Sequence, residues 1–375
     1  MQKPFLIFSG YNNRGVIAFC RFATSENIPF HVIACEQDDP ILATTYAKNV
    51  IAVRRRNSLT ESGLLSLLKD VKNTTNVSQY HCLPSSEYLN RFLLNNREIV
   101  ERAGIEVPLC SKMIYEQISD KLRFSELCKE AGFDTPRNLT GNSCLEFPFV
   151  AKPKCYFDDS GKVQPKPVII QTAEDFGAFS KAFNKDSFFF QEFVNGESHY
   201  LLLYVSKNGG DVAFSQRNLV QQPCGRSIIA AIPTTLYKES ITLRYISFLK
   251  SLGFFGLIMI ELRKCEDRFV MIEANPRIWG PMQLIVDCDS PILAAFAREH
   301  GHLQSRLVVR EPKLNIKFFW SGGLASRQQS RSGLTFHGYS PEVFMNEYGD
   351  WLRHDVWLRP DSKDVFYREA TQNEA

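Results

Sequence analysis

The chain has 375 residues, 44% of them hydrophobic and 23% charged, and a formal net charge of +3. That length exceeds one simple core, so two or three subdomains are expected, and the composition is that of an ordinary soluble globular protein. The small net charge excludes a nucleic-acid partner as the expectation, and Arg54-Arg55-Arg56 reads as a solvated loop, not a phosphate track. From residue 4 to about 110 strand and helix alternate. Phe5–Phe8 is a strand, Gly15–Thr24 an apolar-rich helix and Phe30–Cys35 the next strand. Val50–Val53 and His81–Leu83 continue the series, with helical pattern around Leu64–Leu68. This rhythm predicts a parallel, doubly wound sheet. Its first turn, Ser9-Gly10-Tyr11-Asn12-Asn13-Arg14-Gly15, is neither GxGxxG nor a P-loop, which disfavours a dinucleotide-dependent oxidoreductase. Glu87, just past a strand end, either faces a ligand or is the first-turn acid of the next helix.

Ser119 or Asp120 is the expected N-cap of a helix carrying Phe124, Leu127, Cys128 and Ala131 on one face, closed by Gly132 and Pro136. Phe149–Lys152 reads as a strand ending in a lysine before Pro153. Thr172 and Asp175 form a capping-box pattern ahead of a helix with Phe176, Phe179 and Phe183 on one face. Phe188–Phe190 is an apolar strand. Tyr200–Val205 and Asp211–Gln216 flank the hairpin signal Asn208-Gly209-Gly210, and a helix is expected near 236–252. The last 60 residues carry scattered aromatics with no readable period. The ten cysteines form no CxxC pair or zinc-spaced Cys/His cluster. Cys20, Cys35 and Cys82 sit in apolar surroundings, as small core residues of a reducing cytosol. The first apolar run is a strand and not a signal peptide, and no run reaches the ~18–20 residues of a membrane helix. A cytoplasmic protein without a membrane partner is expected.

The most informative stretch is Gly256–Gly280. It reads as two strands joined by the polar turn Lys264-Cys265-Glu266-Asp267, which sets Glu261 across from roughly residues 271–273. Glu273 and Asn275, two apart, share a face. Two carboxylates and an amide oxygen converging on one spot are hard ligands of the kind Mg²⁺ takes in a nucleotide site. Arg277 follows, where a guanidinium can reach an anion beside the metal.

Glu261 followed twelve residues later by Glu273-Ala274-Asn275-Pro276-Arg277 resembles the metal-binding signature of the ATP-grasp superfamily. The resemblance runs over about residues 4–300. It implies an α/β and α+β protein with an N-terminal doubly wound parallel-sheet domain (1–112) and then a two-lobed ATP-grasp domain. The small lobe would be 113–190, the large lobe with the Mg-ATP site 191–310, and 311–375 a C-terminal extension. Asp120-Lys121 and Ala151-Lys152-Pro153 are similar, in order and spacing, to the family's two phosphate-binding lysines. Gln191-Glu192-Phe193-Val194 is similar to its adenine hinge, with Glu192 and Val194 as backbone contacts, and Glu197 or His199 would bond the ribose. Arg226 or Arg217 would hold phosphate or carboxylate. The family's glycine-rich flap is poorly matched, since Lys154–Pro167 contains only Gly161 and the acidic pair Asp158-Asp159.

The resemblance implies an ATP- and Mg²⁺-dependent ligase, with Mn²⁺ as a substitute. It would activate a small-molecule carboxylate as an acyl phosphate and couple it to an amine. A homodimer is compatible with this reading, and the hinge spacing resembles the carboligase branch that includes D-aspartate ligase. The glycine-poor flap leaves a non-catalytic ATP-binding regulatory protein as the alternative.

Overall fold

The computed structural model describes residues 3–56, 59–139, 146–158, 160–304, 311–325 and 333–371. The first part contains β1 (Phe5–Phe8), α1 (Asn13–Ser25), β2 (Phe30–Cys35), β3 (Val50–Arg54), α2 (Glu61–Thr75) and β4 (Tyr80–Cys82). It continues with α3 (Glu87–Asn95), α4 (Arg97–Arg102) and β5 (Ile105–Glu106). All five strands run parallel in the order β3-β2-β1-β4-β5. β1 is buried on both faces, which is why its sequence is an unbroken apolar run and not an alternating one. The chain order reverses between β1 and β4, so the loops after both strands border the crevice where such sheets take ligands. Arg54 departs from the expectation of a solvated loop. It is 4% exposed, donates to the Ser9 carbonyl at 3.0 Å and lies under the Tyr11 ring.

α5 (Lys112–Ser119) leads to α6 (Lys121–Glu130), whose N-cap Asp120 accepts from the amides of Leu122 and Arg123. A four-stranded antiparallel sheet follows, built from β6 (Asn138–Leu139), β7 (Phe149–Pro153), β8 (Val168–Ile170) and β9 (Phe188–Glu192) in the order β6-β9-β7-β8. α7 (Ala173–Ala182) covers it. The Thr172/Asp175 capping box fixes that helix start, and Phe179 packs edge-on against Phe188.

The largest sheet comprises β10 (Glu197–Val205), β11 (Val212–Gln221), β12 (Ile228–Thr234), β13 (Gly256–Cys265) and β14 (Arg268–Asn275), with α8 (Ser240–Ser251) between β12 and β13. α9 (Gln283–Asp287) and α10 (Ile292–Glu299) follow. The alternation of β10 sorts its side chains cleanly. Tyr200, Leu202 and Tyr204 pack toward α1, α9 and α10, while Leu201 and Leu203 join a second core with α5, α6 and α8.

The C-terminal segment is woven into both parts. β15 (Phe318–Phe319) pairs with β12, and β16 (Thr335–Phe336) with β11. Trp357 and Val365 enter the core shared with β1 and α1. Arg21 of α1 grips Asp361 through two hydrogen bonds of 2.8 Å. Among the described residues no helix is long and apolar enough to cross a membrane.

Candidate nucleotide and metal site

The β13–β14 hairpin turns tighter than its sequence suggests. Cys265 pairs with Arg268, leaving a two-residue loop in which Glu266 takes φ +53. Its ladder then carries one irregularity, which determines the site. Leu262 pairs with Met271 but Glu261 pairs with Glu273, so Ile272 is an extra residue, a β-bulge. In an unbroken strand Met271 and Glu273 would share a face. The bulge flips the parity: Met271 and Ala274 stay in the core with Leu262, while Glu273 and Asn275 turn to the other face beside Glu261. The bulge also exposes the Ile272 carbonyl to Lys152, whose ammonium donates to it at 3.0 Å.

Two carboxylates directly opposite on neighbouring strands repel unless a cation intervenes. Here each has one. Lys121 Nζ lies 2.5 Å from Glu273 Oε2, and Arg263 Nη2 lies 3.0 Å from Glu261 Oε1. Asn275 Nδ2 donates to Glu273 Oε1 at 2.8 Å, and Arg277 Nη2 donates to Asn275 Oδ1 at 3.1 Å. Burial pushes both carboxyls up. At Glu273 the Lys121 ammonium and the Asn275 amide outweigh it and hold the group well below the usual carboxylate range. At Glu261 burial prevails over Arg263 and the group is raised. Burial also pulls Lys152 down to about 8, helped by the Lys121 charge, and its side-chain hydrogen bond among the described residues goes to a neutral carbonyl. The oxygens of Glu261, Glu273 and Asn275 are a donor set that suits a small hard cation.

These residues line a cleft of about 580 Å³ between the three sheets. The structure brings Lys121, Lys152, Glu192, Val194, Arg226, Glu261, Glu273, Asn275 and Arg277 together there. The hinge behaves unevenly. The Glu192 amide donates to the Arg137 carbonyl at 3.0 Å and is therefore committed, whereas the Val194 amide bonds to none of the described backbone. Glu87 satisfies both of its readings, since it opens α3 and also lines the cleft.

Four expected residues lie elsewhere, for reasons of strand alternation and side-chain pairing. Gln191 is 1% exposed and turns its amide inward, to Asn138 Oδ1 at 2.9 Å and Ser125 Oγ at 3.3 Å. His199 and Arg217 are cross-strand partners, each one residue out of phase with the pair Tyr200 and Gln216. Tyr200 takes the cleft face, so His199 and Arg217 take the opposite one. There Arg217 binds Glu197 Oε1 at 2.9 Å and the Gly338 carbonyl at 2.8 Å. His199 sits 3.3 Å from Glu197 Oε2. Glu197 lines an adjoining hollow behind the hinge.

Other residues of the cleft escaped the sequence reading. Arg14, from the first turn, lies 3.6 Å over the Trp320 ring and donates to the Ile228 carbonyl at 3.2 Å. The loop in the position of the flap carries cations and aromatics where glycine amides were expected. Lys154, Tyr156 and Lys166 all line the cleft, and Tyr156 lies against the Arg91 guanidinium. The loop turns at Asp158, which accepts from Ser160 and Lys162; Asp159 lies outside the described residues. Burial lowers Lys166, with Arg226 and Arg277 adding to the effect. The signal available in sequence is the run of basic and aromatic residues flanking Gly161, a pattern distinct from a glycine-rich flap.

No family model matches the chain, and no curated protein matches it by sequence. Solved structures do match. N5-carboxyaminoimidazole synthetase from Staphylococcus aureus, complexed with ADP, superposes with a TM-score of 0.63 at 14% identity, over 94% of this chain and 98% of that one. The biotin carboxylase domain of Hydrogenobacter thermophilus 2-oxoglutarate carboxylase, bound to MgADP, ADP and bicarbonate, gives 0.61 at 13% identity, over 84% and 74%. A biotin carboxylase–β,γ-ATP complex from Campylobacter jejuni gives 0.60 at 14%, over 84% and 74%. The chain shares the fold of these structures.

Proposed function

We propose that the protein is an ATP-dependent carboxylate–amine ligase of ATP-grasp type. The observation that carries this reading is the bulge at Ile272, which turns Glu273 to face Glu261 and lends its carbonyl to Lys152, all in one cleft with Lys121 and the hinge. A strand under no functional demand has little reason to oppose two carboxylates.

Glu261, Glu273 and Asn275 would hold Mg²⁺, which when bound supplies charge neutralisation to the phosphates. The adenine edge would meet the Val194 amide, with Phe193 and Ile169 as apolar walls. Lys121 and Lys152 would move their ammonium groups from protein partners to phosphate oxygens. An oxygen of the substrate carboxylate attacks the γ-phosphorus and the bond to ADP breaks, giving an acyl phosphate. The amine then attacks the carbonyl carbon, phosphate departs with the C–O bonding pair, and the ammonium proton passes to solvent. Arg277, Arg226, Arg14 and Lys166 form a cationic wall suited to orienting the attacking carboxylate. Arg217 has no place in this scheme, because its guanidinium is held on the far face. The fold and hinge support the ligase class; the branch resembling D-aspartate ligase, and a homodimer like the domain dimer of the Hydrogenobacter structure, are finer parts of the same proposal.

The test is an ADP-release assay with Mg-ATP against pooled amino acids, peptides and sugar acids, with hydroxylamine as the amine. A hydroxamate formed in proportion to ADP supports activation through an acyl phosphate. A broad acid library yielding neither product favours a nucleotide-binding regulator.

A further inference from the structure

At the amino edge of the first sheet, away from the cleft, three side chains from distant parts of the chain converge. His81 stands in β4 opposite Phe5, Glu106 ends β5, and His300 follows α10. One ligand atom from each lies within 4.8 Å of the other two. His81 Nε2 is 3.0 Å from Glu106 Oε2, and His300 Nδ1 is 4.0 Å from Glu106 Oε1. Tetrahedral zinc ligands stand about 3.3 Å apart, given bonds of about 2.0–2.1 Å, so shifts of roughly an ångström would close the set.

We infer that His81, Glu106 and His300 form a site for a zinc-like divalent transition metal, distinct from the cleft. The donor chemistry differs from that of the cleft in the way metals discriminate: two imidazoles and one carboxylate favour zinc or cobalt over magnesium. The surroundings supply the support a ligating histidine needs. His81 Nδ1 lies 2.9 Å from His302 Nε2, so with Nε2 on a metal the Nδ1 proton has an acceptor already in place. His302 is in turn stacked on Phe5, with ring centroids 3.9 Å apart, which fixes its plane. Solvent reaches the three side chains from the side of Glu106, whose side chain is 45% exposed. Lys3 Nζ, 3.2 Å from Glu106 Oε2, occupies part of that side; its own side chain is 37% exposed and is free to swing out. A metal held here would clip β4 and β5 to the end of α10, joining the first sheet to the helices that follow the large one.

The test uses the full chain after EDTA treatment, titrated with Co²⁺ in the presence of excess Mg²⁺. Binding of one equivalent at micromolar Co²⁺, with visible d–d absorption displaced by Zn²⁺, is expected, and Zn²⁺ should raise the thermal midpoint. His300→Ala and Glu106→Gln, both at partly exposed positions, should each weaken binding by at least about tenfold, while Lys3→Ala should strengthen it. Absence of micromolar binding overturns the assignment. So does one-equivalent binding that survives both His300→Ala and Glu106→Gln, which would place the ion at the exposed Cys155 or at the cleft carboxylates.

Discussion

The cleft and the amino edge of the first sheet carry carboxylates in contrasting company. In the cleft Glu261 of β13 and Glu273 of β14 face each other, each with a cation in contact, and further lysine and arginine side chains line the same cleft. At the amino edge a single carboxylate, Glu106, meets imidazoles and one exposed lysine. Hard oxygens among cations suit an exchangeable metal–phosphate complex, because the Lys121 ammonium that neutralises Glu273 can transfer to a phosphate. Imidazoles tied to further hydrogen bonds suit an ion that stays. The difference teaches that the partners of a carboxylate, more than the carboxylate itself, decide what it can hold.

The sharpest way to break the contrast is at Glu273. Glu273→Gln keeps the size and removes the charge, so ADP formation should fall by at least about a hundredfold while far-UV circular dichroism is unchanged. Unchanged turnover at saturating Mg²⁺ would remove the carboxylate pair from the chemistry. Arg277→Lys, which keeps a charge and loses the planar fork, should lower hydroxamate yield by roughly tenfold with nucleotide still bound. Full activity in that variant would take the residue out of the mechanism.

Lys152 sharpens the comparison through pH. Its pKa of about 8 lies below the unfolded value, so between the two the unfolded chain binds more protons and stability rises with pH. Phosphate contact needs the charged form, so nucleotide affinity should fall as pH rises through about 8. Lys152→Met should flatten both profiles, measured by thermal midpoint and by titration calorimetry. The smallest effect belongs to Arg217→Ala. With its guanidinium held by Glu197 and Gly338 outside the cleft, turnover should stay within about twofold of the native chain.

Much of the cleft was legible in the sequence because its chemistry is local. Glu261, Glu273, Asn275 and Arg277 lie within one hairpin, and Lys121 and Lys152 sit at a helix start and a strand end that patterning marks clearly. The bulge was not legible. Nothing in Met271-Ile272-Glu273 announces an extra residue, and an unbroken ladder would send Glu273 to the core. The same period of two, applied to β10, separates His199 from Tyr200. The histidine cluster was invisible for another reason: His81 and His302 are 221 residues apart, and only the docking of α10 against β1 brings that region to β4. The C-terminal segment was unreadable because its strands have two residues each, too short to show a period.

The central claim is that the face-to-face carboxylates make nucleotide binding depend on Mg²⁺. Titration calorimetry of ADP with and without Mg²⁺, on the native chain and on Glu261→Gln and Glu273→Gln, tests it most directly. The account predicts that Mg²⁺ tightens binding by at least about tenfold in the native chain and that either variant abolishes this gain. An equal Mg²⁺ gain in all three proteins, or no ADP binding at millimolar concentration by the native chain, would contradict it.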